Sequence, residues 1–202
     1  LGTQISLEGL RNDFDAVYLA IGSWRATALN LEGEAAGSVR LGIEYLQRVA
    51  SGIDLPLGER VVVVGGGNTA IDCARTALRL GAKNVQLLYR RGRDEMPAEP
   101  YEVEEALLEG VEMIFLAAPT RIAEQGGAKQ LHCIAMALGE PDRSGRRRPV
   151  PVEGSEFTIA CDTVIGAIGH STNTQFLYHD LPVRLNPWGD IDINGRTMET
   201  SE

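Results

Sequence analysis

The chain has 202 residues, of which 44% are hydrophobic and 23% charged, and its formal net charge is −9. This composition supports a real hydrophobic core in one large domain, or in one domain with extensions. The acidity argues against a general nucleic-acid surface, which is normally basic. No run of about 18 apolar residues occurs, so no membrane span is expected. The N-terminal Leu1-Gly2-Thr3-Gln4-Ile5 lacks the charged-then-apolar pattern of a signal peptide. It also lacks an initiator Met, as an excised piece of a longer protein would. Cys73, Cys133 and Cys161 are widely separated and form no C-x-x-C. That is the pattern of reduced, buried thiols in a cytoplasmic protein, and it disfavours a zinc site or a redox dithiol.

In chain order, Asp13 to Gly22 reads as a short apolar strand ending in glycine, followed by a loop to Gly37. Leu41, Tyr45, Leu46 and Val49 share one helical face, which predicts a helix over 41–50. Val61-Val62-Val63-Val64 is a run of β-branched residues suited to a buried strand. Gly65-Gly66-Gly67 then turns the chain into an apolar-periodic helix running to about Leu80. Gly81 ends that helix, and Val85 to Tyr89 forms the next strand, so a complete βαβ unit fits in about 30 residues. Met96-Pro97-Ala98-Glu99-Pro100 suits entry into a helix over 101–109. Val111 to Leu116 is a third strand. The β-α-β-α-β order predicts an α/β, Rossmann-like parallel sheet with crossover helices.

Beyond Leu116 the pattern is β only. Residues 120–123, 130–138 and 157–168 read as strands joined by polar turns, an antiparallel meander set against the parallel sheet as a further layer. Arg143, Arg146, Arg147 and Arg148 lie among Pro, Gly, Ser and Asp, as in a solvated hairpin tip. From His170 the chain is loop-like, with Ile191-Asp192-Ile193 as a candidate edge strand. This divides the chain into a leading strand, loop and helix (1–58), a Rossmann-like domain (59–169) and a tail (170–202).

Gly65, Gly67 and Ala70 fit G-x-G-x-x-A. Gly65 permits the tight turn, and Gly67 admits a pyrophosphate without a Cβ in its way. Ala70 is small enough for close helix–strand packing. The first helical amides, from Asn68 and Thr69 onward, present N–H groups and a partial positive charge to phosphate. An NAD site places an acid at the tip of the following strand to hold the ribose 2′-hydroxyl. Here that strand ends in Tyr89-Arg90-Arg91, with Arg93 close behind, and Asp94 and Glu95 come later. Guanidinium groups there favour a 2′-phosphate through charge-assisted hydrogen bonds, and so NADP(H) over NAD(H).

Asp15 to Gly22 and Asp162 to Gly169 both read D-x-V-x-x-A-I-G. A strand ending in Ala-x-Gly admits the close approach of another backbone or a planar ligand. His132, His170 and His179 form no constellation with a nucleophile, so no side-chain catalytic residue and no metal site is assigned.

These runs resemble the two-dinucleotide flavoprotein oxidoreductases, and within them the small (beta) subunit of NADPH-dependent glutamate synthase and its relatives. The matching segments are Phe14 to Gly22, Val62 to Arg75, Tyr89-Arg90-Arg91 with Glu95-Met96-Pro97-Ala98, and Ala167-Ile168-Gly169 with Asn173-Thr174. Together they cover nearly the whole chain. The resemblance implies that an NADPH domain is inserted into an FAD domain of the same polypeptide, with hydride passing from NADPH to FAD. In it, Gly65, Gly66, Gly67, Asn68, Thr69 and Ala70 hold the pyrophosphate. Arg90, Arg91 and Arg93 hold the 2′-phosphate, and Ala167, Ile168 and Gly169 lie near the nicotinamide. It further implies iron–sulfur clusters in the intact protein and a large glutamate synthase-type subunit as partner.

This sequence departs from that pattern in several places. The G-x-G-x-x-G of the FAD domain, expected before Phe14, its Gly-Asp, expected soon after Glu202, the iron–sulfur cysteines and the C-x-x-C of disulfide-reducing members do not occur in it, and Thr172 stands where relatives often carry Pro. The expectation is therefore an NADPH domain whose flavin site lies in flanking segments. A stand-alone NADP-dependent dehydrogenase and a non-enzymatic dinucleotide-binding module remain open alternatives. The first would turn over a simple alcohol or carbonyl without flavin. The second would bind coenzyme without turnover.

Overall fold

The computed structural model describes residues 4–35, 37–125, 128–142, 145–175, 177 and 183–202. Two compact units divide the chain: Ala26–Gly169, and Leu1–Arg25 together with His170–Glu202. In chain order the elements are α1 (Leu7–Asp13), β1 (Arg25–Ala26), β2 (Val39–Leu41), α2 (Gly42–Ala50), β3 (Arg60–Val64) and α3 (Asn68–Arg79). Then come β4 (Asn84–Tyr89), a 3-10 turn (Arg93–Glu95), α4 (Pro100–Glu109), β5 (Glu112–Phe115), β6 (Ala117–Gln125), β7 (Ala128–Pro141), β8 (Arg147–Cys161), β9 (Thr163–Gly166) and β10 (His170–Ser171).

Within the unit Ala26–Gly169, five parallel strands form a sheet in the order β2-β9-β3-β4-β5. The four valines of β3 are buried on both faces, as expected of a central parallel strand. Val61 and Val63 meet a cluster containing Tyr45, Ile71, Ala74, Leu87 and Val103, from helices α2, α3 and α4 and strand β4. Val62 and Val64 meet Ile122, Leu131, Cys133 and Cys161 of the antiparallel β6-β7-β8 meander. The result is three layers: helices, parallel sheet and meander. Arg75 of α3 clamps α4 by reaching Glu102 at 2.6 Å and Glu109 at 2.6 Å, and Arg79 shares Glu109 at 2.7 Å. These guanidinium partners hold the Glu109 carboxyl below the usual carboxylate range.

The helices and strands from α2 through β7 contain the segments predicted for them, with ends shifted by a few residues. The segment 157–168 is not one strand. It ends the meander at Cys161, breaks at Asp162 and resumes as β9 in the parallel sheet between β2 and β3. Asp162 fixes this change of partner. Its carboxylate accepts hydrogen bonds from the backbone N–H of Glu59 (3.0 Å) and Arg60 (2.9 Å) and from Arg60 Nη2 (2.7 Å). The sheet also reaches earlier in the chain than the glycine-turn strand, through β2.

In the other unit, α1 starts at Ser6, whose hydroxyl accepts from the N–H of Gly9 at 2.9 Å. Leu7, Leu177 and Val183 form its small core, with Val17, Leu19, Leu185 and Ile191 packed against it. The strand expected over 13–22 is not formed. Those residues carry no ladder, and Phe14 and Tyr18 are exposed. An apolar alternating run becomes a strand only when a neighbouring strand accepts its backbone groups. Ile191 makes a single bridge to Leu185 rather than a strand. No helix among the described residues is long and apolar enough to cross a membrane.

Arg60, through its hydrogen bonds, holds the Asp162 carboxyl below its ordinary value. Its folded pKa is thus lower than its unfolded one. The stabilisation it supplies is complete above the unfolded value of about 3.9 and is lost as pH falls through the folded value. Asp162→Asn should therefore lower the denaturant midpoint at neutral pH, and the gap from wild type should narrow below about pH 4. Urea titrations across that range check this; a gap independent of pH would contradict it.

Candidate functional site

The carboxyl ends of β3 and β9 lie side by side where the sheet changes direction of growth: β4 and β5 extend one way from β3, β9 and β2 the other. In open α/β sheets a crevice forms outside such a switch point. The glycine turn occupies it. A Cβ on Gly65 would stand 2.2 Å from the carbonyl oxygen of Ala167 and 3.0 Å from the Ala70 Cβ. A Cβ on Gly66 would enter the Tyr89 ring at 2.3 Å. These two glycines are therefore required by the chain's own packing. Gly67 differs: the nearest atom to its Cβ position is Pro97 Cγ at 3.9 Å, and its φ of −95° suits any residue. Nothing in the fold demands glycine there, and the space beside it is open.

Gly67 caps α3 with no side-chain hydrogen bond to the helix amides, and the first turn carries no acid. Its partial positive charge is not offset by a side chain of its own first turn. Asn68 and Thr69 open the helix. Asn68 faces outward and accepts the Glu99 N–H at 2.9 Å, while the Ala98 N–H donates to the Gly66 carbonyl at 3.1 Å. The Pro97–Glu99 segment is thereby tied along the rim of the turn. Ala70 is fully buried. Ala167 donates its N–H to the Val64 carbonyl at 2.8 Å, Ile168 is exposed, and Gly169 accepts from the Thr27 N–H at 3.0 Å. The turn and the start of the Ala167–Gly169 segment thus lie side by side at the end of the sheet.

The three arginines after β4 have different situations. Arg90 is exposed and has no hydrogen bond or ion pair among the described residues. Arg91 is buried, its side chain only 7% exposed; it donates to the Arg147 carbonyl (2.8 Å) and to Asp142 Oδ2 (2.8 Å). Its guanidinium ties the β7–β8 hairpin to the end of β4, a structural task the sequence reading had not assigned it. Arg93 is exposed and paired with Glu104 of α4. Of the three arginines expected to hold the 2′-phosphate, Arg91 and Arg93 are paired with carboxylates, and Arg90 is the one whose guanidinium has no partner among the described residues.

The hairpin tip also departs from a purely solvated one. Arg147 donates from Nε to Glu95 Oε1 at 2.9 Å, and Glu95 is 8% exposed. Arg143 lies outside the described residues, as does His179. Sequence reasoning passed over Glu95 and Arg147 as functional candidates; 52 residues separate them, and no local spacing signals their meeting. His132 meets Thr158 on the meander at 3.2 Å, and His170 is exposed in β10.

A family model described as pyridine nucleotide-disulphide oxidoreductase matches residues 4–202. The chain belongs to this family. It is 48% identical over 196 residues to the NADPH-Fe(3+) oxidoreductase subunit beta of Geobacter sulfurreducens, covering 95% of this chain and 29% of that protein. It is 43% identical to the NADP(+)-dependent formate dehydrogenase subunit beta of Moorella thermoacetica, covering 100% and 29%. The small chain of NADPH glutamate synthase from Azospirillum brasilense is 36% identical, with 100% and 44% covered. The chain therefore spans well under two thirds of these relatives. Among solved structures, Mycobacterium tuberculosis FprA in complex with NADPH superposes with a TM-score of 0.67 at 20% identity (84% and 53% covered). Thioredoxin reductase of T. acidophilum superposes at 0.64 and 24% (88% and 51%). Both share the two-dinucleotide flavoprotein fold with this chain.

In this member of the pyridine nucleotide-disulphide oxidoreductase family the three cysteines are free and buried. Burial pushes the Cys73 and Cys133 thiols up to about 12 and Cys161 to about 11. At neutral pH they are protonated and inert toward disulfide exchange.

The steric contrast within the turn has a direct consequence. Gly65→Ala and Gly66→Ala should each destabilise the chain by about 1–3 kcal/mol through overpacking. Gly67→Ala should cost under about 1 kcal/mol, the difference between glycine and alanine at a helix cap. Thermal and urea unfolding of the three variants measure this. Equal losses at all three positions would contradict the open space beside Gly67.

Proposed function

We propose that this chain is the NADPH-binding, electron-input domain of a flavin-dependent oxidoreductase resembling the glutamate synthase small subunit. One observation carries the reading. At the switch point of the sheet, an uncapped, acid-free helix N-terminus follows a glycine whose side-chain space the fold leaves empty. A pyrophosphate fits that combination: it needs close backbone approach, amide donors and local positive potential. Gly65, Gly66, Gly67, Asn68, Thr69 and Ala70 form this cradle, with Gly65, Gly66 and Ala70 shaping it and Gly67 admitting the ligand. Arg90 is free to take the 2′-phosphate. Ala167, Ile168 and Gly169, across the crevice, would border the nicotinamide. Arg91 and Arg93 support the strand tip through their own partners.

Bound NADPH would supply a hydride to the flavin of the longer protein. The residues of this chain bind and orient the coenzyme, and no side-chain acid or base is needed for that task. The names of the Geobacter, Moorella and Azospirillum relatives, each an NADP(H) oxidoreductase component, support this reading. Their greater length supports an FAD domain in flanking sequence. In this reading residues 59–169 hold the coenzyme, and residues 1–58 and 170–202 lead from and to the flavin domain. The electron acceptor would be a large glutamate synthase-type subunit or a protein carrying iron–sulfur clusters, in the cytoplasm.

Arg90→Ala should weaken NADPH binding by about 1.5–3 kcal/mol, the worth of charge-assisted hydrogen bonds, and leave NADH binding nearly unchanged. Gly67→Val should abolish binding of both coenzymes while the unfolding midpoint stays close to wild type. Calorimetric titration of each variant decides the matter. Equal losses for both coenzymes in Arg90→Ala would remove the 2′-phosphate assignment. Undiminished binding in Gly67→Val would remove the pyrophosphate site.

A further inference from the structure

A carboxylate beside a 2′-phosphate site would repel it and favour the unphosphorylated ribose. The sequence places Glu95 beyond the tip of β4, but the 3-10 turn Arg93–Glu95 folds it back. Tyr89 Oη donates to the Glu95 backbone carbonyl at 2.7 Å, and Glu95 Oε2 lies 2.8 Å from where a Cβ on Gly92 would stand. The carboxylate is therefore buried against Gly92, two residues after Arg90. Among the described residues Oε2 has no hydrogen-bond partner, and the side chain donating to Oε1 is Arg147. Arg147 comes from the far end of the β7–β8 hairpin and is held in place by Arg91. That residue donates to the Arg147 carbonyl and to Asp142 on the opposite side of the hairpin.

Two ion pairs of opposite polarity therefore join the hairpin to the strand tip: Arg91 to Asp142, and Glu95 to Arg147. The second neutralises an acid that the fold has otherwise buried with one oxygen unsatisfied. We propose that Arg147 is a specificity-determining positioning residue: it masks the negative charge of Glu95 beneath the Arg90 turn, and this masking lets the site accept a phosphorylated ribose. The inference rests on the coenzyme site proposed above. It assigns to the hairpin of the meander a part in coenzyme choice that acts through Glu95 rather than by contact with the coenzyme.

The test is the ratio of NADPH to NADH affinity, titrated on the full 202-residue chain. The variants are Arg147→Ala, Arg147→Lys, Glu95→Gln and the double variant Arg147→Ala/Glu95→Gln, each with its unfolding midpoint measured. Arg147→Ala should lower the ratio about tenfold, chiefly through NADPH, as expected when a charge-assisted contact is lost next to an anion. Arg147→Lys, which keeps the charge, should stay near wild type. Glu95→Gln alone should hold or raise the ratio. The double variant should return the ratio to wild type, because the charge to be masked is gone.

An unchanged ratio in Arg147→Ala would overturn the proposal. So would a double variant as poor as Arg147→Ala, which would make Arg147 a direct ligand. If Arg147→Ala fails to fold, Glu95→Gln and the double variant still decide: a lowered ratio in either overturns the masking role. Wild type indifferent to the 2′-phosphate, or binding neither coenzyme, would instead remove the coenzyme site itself, and this inference with it.

Discussion

The close approach of Gly65 to Ala167 is the constraint from which the rest of the site follows. The two strands that end there are separated by about a hundred residues of chain, yet they are parallel neighbours in the sheet. Their ends can converge only because Gly65 has no side chain and Ala70 a minimal one. With that contact made, the glycine turn is pressed against Ala167 just beyond β9, and α3 starts at the end of the same turn. A larger residue at either position would part β3 from β9 and separate the two halves of the crevice. The same contact explains why the chain leaves the meander at Asp162. Only by re-entering the parallel sheet between β2 and β3 can β9 deliver its alanine to the turn.

Charge is organised around this contact with little left over. The chain is strongly acidic, with a net charge of −9, and its guanidinium groups near the end of β4 are mostly paired. Arg91, Arg93 and Arg147 are each joined to a carboxylate, which leaves Arg90 as the unengaged guanidinium among them. On the helical face Arg75 and Arg79 gather the acids of α4 in the same way, so that Glu102 and Glu109 serve helix packing. The uncapped end of α3 then acts without an acid in its own first turn.

What the sequence made legible was local. The valine run, the glycine turn and the periodicity of α3 and α4 each lie within a few residues, and their order implies a right-handed parallel crossover. The G-x-G-x-x-A pattern marked the turn, but it could not show that Gly65 and Gly66 serve packing while Gly67 does not. That distinction depends on Ala167, Tyr89 and Pro97, which are distant in sequence. The two D-x-V-x-x-A-I-G copies show the same limit. Thr163 to Gly166 becomes β9 because β2 and β3 flank it, whereas Asp15 to Gly22 has the same pattern and no ladder. Neighbouring arginines also looked alike in the sequence. Arg91 is engaged because Asp142 and Arg147 return to it across a hairpin, and nothing in Tyr89-Arg90-Arg91 announces that.

The family's description refers to disulphides, but the thiols of this chain cannot take part in that chemistry. Cys73 sits against the Gly42 carbonyl under α2, and Cys133 and Cys161 lie between the meander and the sheet. Burial raises all three well above neutral pH, so the reactive thiolate is scarce. A cysteine that packs as a small apolar residue needs only volume and no solvent path, which is the opposite of what exchange requires. What this chain shares with FprA and thioredoxin reductase is the fold. Within that fold the three cysteines fill volume between layers, so their contribution is to packing.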